Sequence, residues 1–272
     1  MNLDAYYNQG VDMLNMLGDL QVEQEEKKME TKVEKIPSPF KQRFSDAPWF
    51  ETLKNTYIIL LGAGGIGSWV GFCLSRIGCN FTVFDMDSVE VHNLGGQLFN
   101  TNHIGKLKTE SLKEVCDLFS GKENVIRTAG QYTEDSYTNS IVIAAFDNMR
   151  ARKLAFDKWK EFVLDIAKES EEEAKKCLFI DGRLLAEDYQ VYAVTKDRIE
   201  DYEKTLFDDS EVEEVLCTLK ATTHCSMGIA SEMISVLTNH MANIAYGAEL
   251  REVPFQIVKA IPYYSYDVVF KS

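Results

Sequence analysis

The 272-residue sequence is poor in the features that mark several large protein classes. It has 5 Pro and 16 Gly, too few for a collagen-like or Pro-rich disordered chain. No apolar run approaches the roughly 18 residues of a membrane span, and Met1-Asn2-Leu3-Asp4 begins no basic-then-apolar leader pattern. The six cysteines, at 73, 79, 116, 177, 217 and 225, include no C-x-x-C pair. A zinc ribbon therefore has no support, and a disulfide framework does not suit a chain of this length. These absences predict a soluble chain of a reducing cytoplasm. Positive charge is also scarce, with 29 Lys and Arg against 43 Asp and Glu, a net of −14. DNA and anionic membranes are thus poor partners, and a basic or neutral partner suits the surface better.

What is present is ordinary globular material, 45% apolar and 26% charged. Residues 1–40 read as an amphipathic helix over 4–20, then a Glu- and Lys-rich tether closed by Pro37-Ser38-Pro39. From Tyr57 the pattern alternates. Strands are expected at 57–61, 81–84, 125–132 and 141–145, with helices over 66–77, 106–118 and 149–168. Wholly apolar strands such as Tyr57-Ile58-Ile59-Leu60-Leu61 belong in a sheet covered on both faces. This order predicts an α/β fold with a Rossmann-like, doubly wound, mostly parallel sheet. Later come strands at 178–184 and 189–194, a long helix over 225–246, and a strand pair within 255–270, extending the sheet with antiparallel strands.

The strongest local signal is Gly62-Ala63-Gly64-Gly65-Ile66-Gly67-Ser68, directly after a strand and opening a helix. Gly62, Gly64, Gly65 and Gly67 permit a tight turn, and the helix N-terminus favours a phosphate. Asp85 ends the next strand, 23 residues after Gly62, where a carboxylate can bind ribose hydroxyls. Whether the ligand is a mononucleotide or a dinucleotide stays open on these residues alone.

Three further motifs follow in order. They are Asp85-Met86-Asp87-Ser88-Val89-Glu90-Val91-His92-Asn93-Leu94-Gly95-Gly96-Gln97, then Ile104-Gly105-Lys106-Leu107-Lys108, then Asp147-Asn148-Met149-Arg150-Ala151-Arg152. With the glycine loop they resemble the ThiF/MoeB superfamily of adenylyltransferases, which is related to ubiquitin-activating enzymes. The resemblance spans about 43–248 and implies an adenylation domain over 41–272, with a nucleotide-binding half near 57–168 and a substrate half near 177–272. It implies ATP and Mg²⁺, a homodimer, and a ubiquitin-like or sulfur-carrier protein whose C-terminal carboxylate is activated. Asp85 would hold the ribose, Asn93 and Lys108 would face the phosphates, and Asp147 with Asn148 would close the site near the magnesium. Cys217 falls in the counterpart of the crossover loop, where some members carry a reactive cysteine. The four-cysteine zinc site of many relatives has no counterpart in the sequence, and Cys73 and Cys116 read as core.

Two positions depart from the family pattern. Gly96 replaces an arginine, and Asp46 replaces the second arginine of an N-terminal segment that reaches the partner's site. The pyrophosphate end thus loses two cations, with Lys106, Arg43 and Lys41 as candidate replacements. Residues 196–214 hold nine acids and three bases, which reads as a solvated, mobile loop; the resemblance offers the alternative of an acidic cover for a basic carrier tail. The alternatives are a non-catalytic scaffold subunit, adenylation of a non-protein carboxylate as in tRNA-modifying dehydratases, and an NAD-linked oxidoreductase. The Ile-Gly-x-x-Lys and Asp-Asn-x-x-x-Arg motifs argue against the last.

Overall fold

A computed structural model describes residues 43–120, 124–207 and 222–270. The chain divides into two compact units, 1–43 and 44–272, and the fold described lies in the second. The expected N-terminal helix and tether, Lys41, Cys217 and the acidic positions from 208 to 214 fall outside the described residues.

A single-turn helix, α1 (Phe50–Lys54), leads into β1 (Tyr57–Leu61), α2 (Gly65–Ile77) and β2 (Asn80–Phe84). Then come α3 (Lys108–Ser120), β3 (Ile126–Ala129), β4 (Ile141–Ala144), α4 (Met149–Glu169) and α5 (Glu171–Lys175). The second half contributes β5 (Leu178–Leu185), β6 (Asp188–Val194), α6 (Ile199–Glu203), α7 (Thr223–Tyr246), β7 (Gln256–Ala260) and β8 (Ser265–Val269). The eight strands form one sheet in the order β3-β2-β1-β4-β5-β6-β7-β8. Pairing is parallel from β3 to β5 and antiparallel from β5 to β8.

The alternation of strand side chains builds two cores. Ile58 and Leu60 of β1 join one cluster with Val70 and Leu74 of α2 and Met233 and Leu237 of α7. Ile59 and Leu61 point the other way, into a cluster with Phe156 and Trp159 of α4 and Tyr202 of α6. The unbroken apolar run of β1 thus serves two layers at once. The two covered faces leave the carboxyl ends of the strands as the open rim. Strand order reverses there between β1 and β4, the place where open α/β sheets bind ligands.

Boundaries differ from the sequence reading by one to three residues, most clearly at α3 and β3. α3 starts at Lys108 rather than 106, because Gly105 adopts φ +85 and Leu107 bridges Ser88. β3 is four residues long and ends before Gly130. The single-turn helices α1, α5 and α6 are too short for apolar periodicity to reveal. α5 is nevertheless capped, with Ser170 Oγ accepting from Glu173 N at 3.2 Å.

Trp159 is fully buried, packs on Phe156 and Phe179, and donates its indole N–H to Ser140 O at 3.1 Å. Trp159→Ala should lower unfolding free energy by about 3–5 kcal/mol, read as a shifted urea midpoint with an unchanged slope.

Candidate functional site

The rim is built from the glycine loop outward. At Gly62, φ is +95°, and an added Cβ would meet Ala145 O at 2.7 Å, so this position requires glycine on two counts. A Cβ on Gly67 would lie 1.9 Å from Gly62 O, because the first turn of α2 is pressed onto the loop. Gly64 is the N-cap of α2, with no side-chain cap and no acidic residue in the first turn. Gly65 begins the helix. The unmatched N–H groups of that turn therefore define an anion-favouring end. The nearest atom to a Cβ on Gly64 would be Gln97 Nε2, at 4.0 Å, so the loop has open space on its ligand side.

One carboxylate then joins the loop to the next motif. Asp85 Oδ2 accepts from Ala63 N at 2.7 Å, and Oδ1 accepts from Asp87 N at 2.8 Å. Burial pushes the Asp85 carboxyl above the usual carboxylate range, opposed by these two N–H bonds and by Lys108. Each oxygen retains acceptor capacity for a hydroxyl, so the ribose role expected of Asp85 fits its surroundings. Asp87 in turn takes the Lys108 ammonium on Oδ2 at 2.8 Å and the Lys108 backbone N–H on its carbonyl at 2.8 Å. Lys108 is 8% exposed, whereas Asp87 is largely in solvent. Hydrogen bonds thus link the glycine loop, Asp85, Asp87 and Lys108 in series.

The other expected residues sit around this series. Asn93 is buried in the 3-10 turn Val91–Gly95, where its Oδ1 accepts from Glu90 N at 2.9 Å and closes a capping box. The backbone at Gly96, where the arginine is absent, is held by Trp69 Nε1 donating to Gly96 O at 3.1 Å. The neighbouring Gly95 carbonyl accepts from Thr223 Oγ1 at the start of α7. Gln97 Oε1 is buried without a hydrogen-bond partner beside the loop. Asp147 and Asn148 are exposed on the turn after β4, which Ala145 N ties to Leu61 O at 2.8 Å. Asn148 caps α4 by accepting from Ala151 N at 2.8 Å, and its amide donates to Asp147 Oδ1 at 3.2 Å.

Lys106 goes elsewhere. Its ammonium pairs with both oxygens of Glu114 at 2.9 Å, which draws the Glu114 carboxyl below its usual range. Arg43 belongs to the other unit. The thiol expectation splits. Cys116 is fully buried and pushed up to about 12 by burial, while Cys73 is only partly covered, though burial raises its pKa as well.

Sequence reasoning missed four contributors. Asp87 was visible as the second acid of Asp-x-Asp, but nothing in the spacing revealed that it holds Lys108. Gln97 lay in a quoted motif without a role. Asp181 and Arg183 fall within the expected strand 178–184, and with Arg152 they form a largely buried polar cluster behind the Asp147 turn.

The two glycines separate stability from binding. Gly67→Ala must displace the loop backbone and should lower the melting temperature clearly. Gly64→Ala meets only a flexible side-chain end and should melt near wild type, with weakened binding of a nucleoside triphosphate measured by calorimetry.

Comparisons with known proteins agree with this geometry. Over 108 residues the chain is 35% identical to a tRNA threonylcarbamoyladenosine dehydratase of Haemophilus influenzae, covering 37% of this chain and 41% of that protein. Over 150 residues it is 31% identical to the NEDD8-activating enzyme E1 catalytic subunit of Caenorhabditis elegans, covering 50% of this chain and 34% of that one. The chain therefore spans well under half the length of these curated relatives. The same fold occurs in Escherichia coli MccB crystallised with ATP, with a TM-score of 0.59 at 15% identity over 81% of this chain and 65% of that chain. PaaA gives a TM-score of 0.58, also at 15% identity, over 81% of this chain and 74% of that chain. Residues 40–259 match the ThiF family profile, and the chain belongs to that family.

Proposed function

We propose that this chain is an ATP-dependent adenylyltransferase, working with Mg²⁺ in the cytoplasm as a homodimer, that activates the C-terminal carboxylate of a ubiquitin-like or sulfur-carrier protein. The observation that carries the reading is the serial linkage of an uncapped helix N-terminus, Asp85, Asp87 and a nearly buried Lys108. A dinucleotide fold needs the first two of these; a lysine delivered to the same rim suits a triphosphate. Among the curated relatives, an activating enzyme named for NEDD8 supports a protein carrier.

In this reading the first-turn N–H groups of α2 and the Lys108 ammonium hold the phosphates. Asp85 takes the ribose hydroxyls, and the Asn93 amide nitrogen faces the phosphates while its oxygen keeps the turn. Attack of a carboxylate on the α-phosphorus brings like charges together, so fixed donors that need no reorganisation lower the barrier. Asp85, Asp87 and Asp147 against Lys108 make a rim with excess negative charge, to which a bare ATP tetra-anion is poorly matched. Mg²⁺ would supply the missing neutralisation of the departing pyrophosphate. Among the described residues no cluster of three or more His, Cys, Asp or Glu could form a protein cage for a metal. Magnesium held mainly by phosphates needs only one or two carboxylates, and the exposed Asp147 supplies one. Cys217, as a thioester-forming cysteine, belongs to the same reading.

Similarity to the dehydratase favours a second reading, in which the activated carboxylate is borne on a tRNA. The net charge of −14 opposes it, since a tRNA is a polyanion. A non-catalytic scaffold subunit is the third, favoured by Gly96 and Asp46 and opposed by the complete set Asp85, Lys108 and Asp147.

Mg-ATP should raise the melting temperature by mass action while NAD leaves it unchanged. A shift with NAD and none with Mg-ATP would overturn the assignment. Asp85→Ala should mainly weaken ATP binding, because ribose contacts are alike in ground and transition states. Asp147→Ala should instead depress turnover of bound ATP. Equal affinity losses from both, with turnover per bound ATP untouched, would contradict these roles.

A further inference from the structure

Behind the Asp147 turn lies a polar cluster that the adenylation reading leaves unused. Asp181 of β5 is fully buried. Its Oδ1 pairs with Arg152 Nε at 2.6 Å, and its Oδ2 with Arg183 Nε at 2.7 Å. Tyr202 Oη donates to the same Oδ2 at 2.9 Å. Arg152 is 5% exposed, and its Nη2 donates to Phe146 O at 2.7 Å. Phe146 is the residue immediately before Asp147. Arg183 spans the other way, donating to Thr205 O at 2.9 Å and to Thr205 Oγ1 at 3.0 Å.

Such a cluster is costly. Two guanidiniums share one carboxylate, and an apolar set of equal volume would serve stability as well or better. What charged groups add here is geometry. A planar guanidinium held at Nε by Asp181 has its Nη2 directed in turn. Nη2 makes its short bond to the Phe146 carbonyl, which sets the start of the Asp147 turn, and a longer one to Gly182 O at 3.4 Å. The turn otherwise depends on strand pairing at Ala145 and on the Asn148 cap, which fix its two sides but leave the Phe146 peptide to Arg152.

We propose that Arg152, oriented by Asp181 and backed by Arg183 and Tyr202, is the positioning residue for Asp147. It aims that carboxylate at the metal–nucleotide complex without touching it. The inference rests on the adenylation reading above, since it presupposes a nucleotide and Mg²⁺ at Asp147. Residues that orient a metal-binding group commonly change metal affinity about 10–100-fold when replaced.

The test is a double-mutant cycle read by binding, not by activity. Isothermal calorimetry with the non-cleavable analogue α,β-methylene-ATP gives the Mg²⁺ concentration for half-maximal binding in wild type, Arg152→Lys, Asp147→Asn and the double variant. Arg152→Lys keeps the charge and loses the fork, and should raise that concentration about tenfold. In the Asp147→Asn background the same change should add nothing, because the group it positions is gone. Tyr202→Phe removes one bond to Asp181 at nearly constant volume. It should give a smaller rise, also confined to the Asp147 background, and it decides the matter if Arg152→Lys does not fold. An equal effect in both backgrounds, or no effect in either, would overturn the positioning role while leaving the adenylation reading in place. Failure of wild type to bind the analogue with any Mg²⁺ dependence would instead overturn both.

Discussion

The Asp85 carboxylate is the joint on which the rim of this molecule depends. It sits at the carboxyl end of β2 and fixes two backbone N–H groups, one in the glycine loop and one in the Asp87 turn. It acts beside the bonds from Leu98 N to Ser68 Oγ and from Trp69 Nε1 to Gly96 O, which tie α2 to the same motif. With it, the approach of α2 to β1, the placing of Lys108 and the opening left by Gly64 become parts of one arrangement. Its cost is desolvation, visible in the raised carboxyl pKa. The N–H donors and the nearby ammonium offset that cost.

Charge is the second organising theme. The rim is rich in acids and has lost an arginine at Gly96, and the lysine nearest to Lys108 in sequence is tied to Glu114. Lys108 is nearly buried at the rim, and Arg152, buried, and Arg183, partly buried, sit behind the Asp147 turn. Lys108 is screened by Asp87, so incoming phosphate must compete with a carboxylate for the ammonium. On the adenylation reading proposed above, such a site would discriminate against free ATP and favour the metal complex.

The layer architecture was legible in the sequence because its causes are local. Apolar β1 and β4, the 3.6-residue periodicity of α2, α4 and α7, and a glycine turn between strand and helix each report their own structure. The start of α3 was not legible, because the bridge from Leu107 to Ser88 is a contact between segments. The same reason explains the site. Gly62, Asp85 and Lys108 could be named from spacing and resemblance. Asp87 as the holder of Lys108, and Asp181 as the partner of Arg152, depend on residues 21 and 29 positions apart meeting in space. A motif shows which side chains exist at the rim, not which of them already have partners.

Adenylyl transfer to a carboxylate, the reaction proposed for this rim, is reversible. It can be followed by incubating the protein with Mg-ATP, labelled pyrophosphate and a candidate carrier ending in Gly-Gly. Label should enter ATP, entry should require the free C-terminal carboxylate of the carrier, and Asp147→Ala should abolish it. ATP bound tightly but with no exchange of label, whichever ubiquitin-like or sulfur carrier is supplied, would contradict the proposal.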